Sequence, residues 1–339
     1  MKELRKVKDM SNILLVNATP AKFGGAKSII EKFIETADFS SYKSVYLLAP
    51  HGTNIKNEKV KLIELESNGL FSLLFTIFLI RFYVYKLKAS HLISFNNVNL
   101  LFSKVRTVTY YHTPHIFYSS SLRHKLLRLI IKYGMRGERF VFQSDYVQSE
   151  FINMFGSCYK THVNWCGFDL PHQTTNKSIH KKIRCLVPVV DCYSKVKNFN
   201  LVCQNIELFQ KLGIEIIALD SVGDYPGKIK YIGRKSKKDL FDVYNNCDML
   251  LMPSLFETVG LPIFEFAATG KPVLVLDKPY LDGIEKTVGL TSNIIKFTED
   301  TLEKKLKYTL NNYNNICIKR LTENHPSVRS NWSDLMKVR

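Results

Sequence analysis

The fold turns on residues 228–262, KIKYIGRKSKKDLFDVYNNCDMLLMPSLFETVGLP. A short apolar run, Ile229–Ile232, ends at Gly233, a helix-period segment follows, and a second apolar run, Met249–Met252, breaks at Pro253-Ser254. Strand, helix and strand in that order make a βα unit of a parallel sheet, whose strands are buried on both faces and read as short apolar runs. The same alternation extends in both directions. Upstream, strands are expected at Ile13–Val16, Val45–Leu48, Leu92–Phe95, Thr107–Tyr111, Phe140–Phe142 and His162–Trp165. In the second half they are expected at Ile183–Val190, Ile214–Leu219, Val273–Leu276 and Ile294–Lys296 as well. The best break is the polar, turn-rich PHQTTNKS at 171–178, which divides the chain into α/β domains at 1–172 and 173–326. Two doubly wound domains facing across a cleft would bind ligands at the carboxyl ends of their strands.

At 339 residues the chain has the length of two domains. With 45% hydrophobic and 23% charged residues it is neither a disordered tail nor a low-complexity array. Seven Cys without a C-x-x-C pair argue against a disulfide framework or a zinc ribbon and suit a reducing compartment. MKELRKVKDM lacks the apolar core of a signal peptide, so the expected location is cytoplasmic. A net charge of +18 implies an anionic partner. Between Glu66 and Glu138 there is no acidic residue, whereas Arg81, Lys86, Lys88, Lys104 and Arg106 all fall there. In the same interval LRHKLLRLIIKYGMR (122–136) sets Lys125, Arg128, Lys132 and Arg136 at helical spacing, with Leu126, Leu127, Ile130 and Ile131 on other faces. This is a basic amphipathic helix suited to an anionic lipid surface. Leu70–Tyr85, LFSLLFTIFLIRFYVY, is interrupted by Arg81 after 11 positions, which is too short to span a membrane; it is expected as a buried helix.

Chemistry concentrates after strands. Behind the first strand, NATPAKFGGAKSIIEKF (17–33) puts Gly24-Gly25 at a helix start, where backbone N–H groups are open to an anion. In the second half, Glu257 lies in the loop after Met252, Gly260 admits close backbone approach, and Glu265 sits on the following helix. Two carboxylates so placed can grip separate hydroxyl groups of a ligand while the helix start faces its anionic part.

These residues resemble the Glu-x7-Glu motif of family-four glycosyltransferases, retaining enzymes of GT-B fold, two Rossmann-like domains. The strand–Gly233–helix–strand–Pro-Ser-x-x-Glu order matches, as do TVTYYHTP (107–114) and QSDYVQSEFINMFG (143–156) leading to WCGFD (165–169). The resemblance implies a nucleotide-diphosphate sugar as donor and no metal or other cofactor. It assigns Glu265 to the ribose hydroxyls and Glu257 to the transferred sugar. Main-chain N–H groups near Val259, Gly260 and Leu261 would meet sugar and diphosphate, and Gly24 and Gly25 would close over the phosphates. His112 would approach the reacting carbon, with His115 as the competing choice. Lys197, or its neighbour Lys195, would bind the diphosphate. The family's Gly-Arg ahead of that lysine is missing, because CLVPVVDCYSK (185–195) contains no Arg. Residues 327–339 would form a helix crossing back to the first domain. Bacterial O-antigen, capsule and lipopolysaccharide transferases suggest a lipid-linked saccharide acceptor, with the protein peripheral on the inner face of the cell membrane. Two other readings stay open: nucleic acid as the acceptor, which lacks a recognised binding motif here, and a non-catalytic GT-B-like binding protein.

Overall fold

The structure, a computed structural model, describes residues 12–112, 115–172 and 182–337. Among them are two parallel sheets. The first contains β1 (Ile13–Asn17), β2 (Ser44–Ala49), β3 (Val60–Glu64), β4 (His91–Ser94), β5 (Arg106–Tyr111), β6 (Arg139–Phe142) and β7 (Lys160–Val163), in the order β3-β2-β1-β4-β5-β6-β7. The second contains β8 (Ile183–Val187), β9 (Ile214–Ala218), β10 (Ile229–Tyr231), β11 (Met249–Met252), β12 (Val273–Leu276) and β13 (Ile294–Phe297), in the order β10-β9-β8-β11-β12-β13. Each order reverses once, at β1/β4 and at β8/β11, which is the doubly wound pattern expected.

Every strand read from the sequence has a counterpart, although the one expected at His162–Trp165 lies two residues earlier, at Lys160–Val163. Ile183–Val190 stops early, at Val187, because Pro188 cannot donate to the ladder and Val189 N–H turns back onto Val187 O at 2.8 Å. β3 was not expected. It is an edge strand on which Lys61 and Glu64 are exposed, so it carries no apolar run, and such charges protect an open edge from further pairing. The central strands β11 and β12 are buried along their whole length.

The described residues form two units, one built from the chain through Gly167 together with Ser330 onward, the other from Phe168–Arg329. The first crossing precedes the expected 172 because Phe168 N–H bonds Val328 O and Asp169 pairs with Lys237, which ties 168 and 169 into the second unit. Residues 173–181 of the expected linker lie outside the described residues. In the returning segment Trp332 packs edge-on against Phe33 and Tyr110 at 5.2 and 5.6 Å, and its Nε1 donates to Thr36 Oγ1 at 2.9 Å. A short helix, Ser333–Met336, follows, with Asn164 Oδ1 accepting from the main chain at Asp334 and Leu335.

The run Leu70–Tyr85 is helical but not buried as a whole. It forms α-helix at Gly69–Leu74, a π-turn at Phe75–Leu79 and α-helix again at Arg81–Lys86. Leu73, Phe75, Ile77, Ile80 and Val84 face the core, while Leu70, Phe71, Leu74, Phe78, Phe82 and Tyr85 are exposed. The wider turn has a polar cause. It brings Thr76 inward, where its Oγ1 accepts from Asn17 and Asn96 at the ends of β1 and β4. Among the described residues no helix is long and apolar enough to cross a membrane.

Trp332→Ala removes a nearly buried indole from the first unit and should cost about 3–5 kcal/mol. Hydrogen exchange is expected to show faster opening at β5 and at the helix Gly24–Thr36 that carries Phe33 and Thr36, with the second unit unchanged; equal protection in both proteins would mean the returning segment is not part of that core.

Candidate functional site

In the second sheet β8 and β11 are neighbours, yet the chain leaves β8 towards β9 and leaves β11 towards β12. Loops that diverge in this way open a crevice at the strand ends. The loop after β8 ends in a 3₁₀ turn, Lys195–Lys197, followed by Asn198 in the left-handed region with φ 49°. Asn198 Nδ2 donates to Pro253 O at 3.2 Å and Leu255 N–H donates to Val196 O at 2.9 Å, which ties this loop to the one after β11. That clasp brings two of the expected residues together: Lys197 Nζ donates to Glu257 Oε1 at 2.7 Å. Lys195 is exposed. Arg184 lies near the start of β8, engaged with Glu215 and with Asn246 O, so it does not replace the missing Arg at the other end of the strand.

Gly260 sits between Glu257 and the helix Leu261–Ala267, with φ 64° and ψ 46°. A β-carbon there would lie 2.8 Å from the terminal Cδ1 of Ile263, which can move aside, so it is the left-handed conformation that selects glycine. Val259 is buried and Leu261 half-buried. First-turn N–H groups of a helix lack intrahelical acceptors; here that of Ile263 closes onto Gly260 O at 2.8 Å.

One turn further along, Glu265 is only 5% exposed. Tyr244, from the preceding helix, donates its hydroxyl to Glu265 Oε2 at 3.0 Å. Burial pushes the Glu265 carboxyl up to about 7 from an ordinary 4.5; nearby Lys237 and the Tyr244 hydrogen bond pull it down, and Asp169 pushes it up. Lys237 is itself bonded to Asp169. Tyr280 follows the end of β12 and its hydroxyl is buried without a partner among the described residues. Its phenol is raised well above 10, chiefly by burial and next by the charges of Glu257 and Asp277. Sequence reasoning missed Tyr244, Lys237 and Tyr280. Only Tyr280 carried a signal, its place just after a strand's carboxyl end.

In the first unit, Gly24 (φ 65°) heads the 13-residue helix Gly24–Thr36, whose first turn contains Gly25 and no acidic residue. A β-carbon at Gly24 would meet nothing within 4 Å, so conformation rather than crowding selects glycine there. His112 follows β5, with its N–H held by Asn97 Oδ1 at 2.8 Å. Its Nδ1 is buried without a partner among the described residues. Burial pushes this imidazole down to about 4, so it is neutral at pH 7. The side chain of His115 lies outside the described residues.

The expected basic stripe is altered. Lys125, Lys132 and Arg136 are exposed, whereas the half-buried Arg128 donates to Ile116 O at 2.6 Å and Ser119 O at 2.9 Å. It fastens the helix instead of facing solvent, and of the apolar residues placed on the other faces Leu127 and Ile131 are buried while Leu126 is exposed.

Among the described residues no group of three His, Cys, Asp or Glu side chains is placed to hold a metal ion. Residues 224–325, which include Gly260 and both glutamates, match the family model described as glycosyl transferases group 1. No curated protein matches the chain in sequence. Solved structures resemble it throughout. Sucrose-phosphate synthase from Thermosynechococcus elongatus has a TM-score of 0.69 at 11% identity over 95% of this chain and 96% of its own. WaaG, a glycosyltransferase involved in lipopolysaccharide biosynthesis, scores 0.61 at 13% identity over 90% and 91%. HepE of Anabaena, in complex with UDP and glucose, scores 0.60 at 13% identity over 88% and 89%. The likeness is one of fold, and the fold is of the GT-B class.

Glu265 makes stability depend on pH. The unfolded chain releases its proton near 4.5 and the folded chain retains it to about 7. This residue therefore lowers stability progressively as pH rises between those values, by about 3 kcal/mol in all. Glu265→Gln should remove that loss. The stability difference, variant minus wild type, should be about 3 kcal/mol larger at pH 8 than at pH 4 in denaturant unfolding; a difference independent of pH would show a carboxyl that ionises normally in the fold.

Proposed function

We propose that the protein is a glycosyltransferase that moves a sugar from a nucleoside diphosphate sugar to a lipid-linked saccharide, with retention at the transferred carbon. The observation that carries this reading is the Lys197–Glu257 pair at the β8/β11 crevice, next to a helix that buries Glu265. It is supported by the group 1 match over 224–325 and by a similar fold in a protein with UDP and glucose bound.

Cleaving a sugar–diphosphate bond leaves negative charge on the departing diphosphate and positive character on the sugar. Fixed cations aimed at the diphosphate act where that charge develops. Lys197 is the assigned cation, with Lys195 beside it, and this chemistry asks for no metal. In the free protein the ammonium rests on Glu257; with donor bound it would turn to the phosphates, freeing the carboxylate for the sugar hydroxyls. Glu265 would accept from the ribose hydroxyls, which favours its ionised form. Main-chain N–H groups around Gly260, and those at Gly24 and Gly25, would receive phosphate oxygens. His112, uncharged, would offer a hydrogen bond near the reacting carbon. The acceptor belongs to the first unit, whose stretch from 67 to 137 is basic without one acidic residue. That charge suits the anionic inner face of a cell membrane, where WaaG's role in lipopolysaccharide biosynthesis is a parallel.

The test is calorimetric titration with UDP, GDP and ADP and their sugars, with and without magnesium. One nucleotide should bind without metal and tighten as pH rises through about 7, as Glu265 ionises. Glu265→Ala should weaken it about tenfold or more. Glu257→Ala should bind the nucleotide no more weakly, because Lys197 is released, yet lose about a hundredfold in turnover. Failure of every nucleotide to bind would favour the non-catalytic reading, with the missing Arg as its reason.

A further inference from the structure

We propose that the first unit docks on an anionic lipid bilayer through an apolar face formed by the outer sides of two helices and a loop tip between them. This deepens the membrane reading above, which rests on charge alone. On Gly69–Lys86 the exposed residues Leu70, Leu74, Phe78, Phe82 and Tyr85 follow one another at spacings of three and four. The segment Leu122–Gly134 repeats the design: α-helix runs into a π-turn, Leu127 and Ile131 face inward, and Leu122, Leu126, Leu129 and Tyr133 face outward. Both helices send their inner residues into a single cluster, where Leu73 and Ile77 join Leu127 and Ile131.

The loop after β4 bridges them. Arg81 of the first helix donates to Leu101 O at 2.9 Å, and Leu101 Cδ2 lies 3.2 Å from where a β-carbon would stand on Gly134, at the end of the second. The next residue, Phe102, has φ 51° and is 83% exposed. A large apolar side chain in the left-handed region, turned into water, strains the backbone without contributing to the core, and such strain collects at functional surfaces.

The composition of the rim identifies the occupant. Lys86, Lys104, Lys125, Lys132 and Arg136 are exposed, and the stretch of sequence that carries them, 67–137, contains no Asp or Glu. A second copy of this chain would set cations against cations, whereas a bilayer offers hydrocarbon to the rings and phosphates to the rim.

The experiment is co-sedimentation of the full chain with phosphatidylcholine vesicles, with and without phosphatidylglycerol, in low and high salt. Phe82→Ser, Phe102→Ser and Leu122→Ser together change residues already in water, so the fold is kept. They should lower partitioning onto anionic vesicles about a hundredfold. Lys125→Gln with Lys132→Gln should lower it about thirtyfold in low salt only. Phe102→Trp emission should shift to the blue on vesicle addition. UDP titration of the serine variant should reproduce the wild-type isotherm, so a failed donor site and a failed docking face are told apart. Wild-type binding by the serine variant would overturn the proposal. So would a wild type that ignores both vesicles, or one that forms a dimer the serine variant dissolves.

Discussion

A parallel strand covered on both faces by helices can hold almost no polar side chain along its length, so chemistry is confined to its carboxyl end. The second sheet obeys this constraint closely. β11 and β12 are buried throughout and consist of Met, Leu and Val, and the charged groups of the site begin only in the loops beyond strand ends. Strand order then selects among those loops. Where the order reverses, between β8 and β11, Lys197 and Glu257 meet 60 positions apart in sequence. The backbone clasp between Val196 and Leu255 sets their approach, so the pair is a consequence of topology before it is one of attraction.

Glu265 shows what that placement demands. The helix carrying it must start tightly against the β11 loop, which a left-handed Gly260 allows, and this puts the carboxyl beneath the site, where among the described residues Tyr244 is its hydrogen-bond donor. Folding gains nothing from an ionised group there, as its upward shift to about 7 records. A buried carboxyl with one donor retains lone pairs for others, and paired hydroxyls on a ligand are the kind of donor that would complete it. The fold thus carries an unfavourably buried carboxyl that hydroxyl donors of a ligand would relieve, a pattern typical of sites where the usual rules of burial are broken.

Much of the fold was legible because β-strand apolar runs and turn residues are local signals. β3 escaped since an edge strand needs no apolar run, and charge on it is protective. Glu257, Gly260 and Glu265 were readable from their shared loop and helix. Tyr244 and Lys237 were not, for their relation to Glu265 is made by packing of a helix that precedes β11. Arg128 looked like one of four equivalent cations; its carbonyl partners at Ile116 and Ser119 come from the segment before the helix, and no periodicity reveals them.

The run Leu70–Tyr85 was misread for a deeper reason. Apolar content states that a surface avoids water, not what replaces the water, so a helix buried on one side in protein and on the other in lipid reads the same as one enclosed by core. Charge breaks the tie. Acidic residues are absent from 67 to 137 and present on either side, and an ordinary core helix would impose no such bar on its flanking loops. A bilayer would, because each carboxylate near anionic headgroups is repelled while each lysine is attracted. On the proposed docking, the depletion of acids and the outward rings would be two marks of a single condition, hydrocarbon for the rings and anionic headgroups for the flanking lysines.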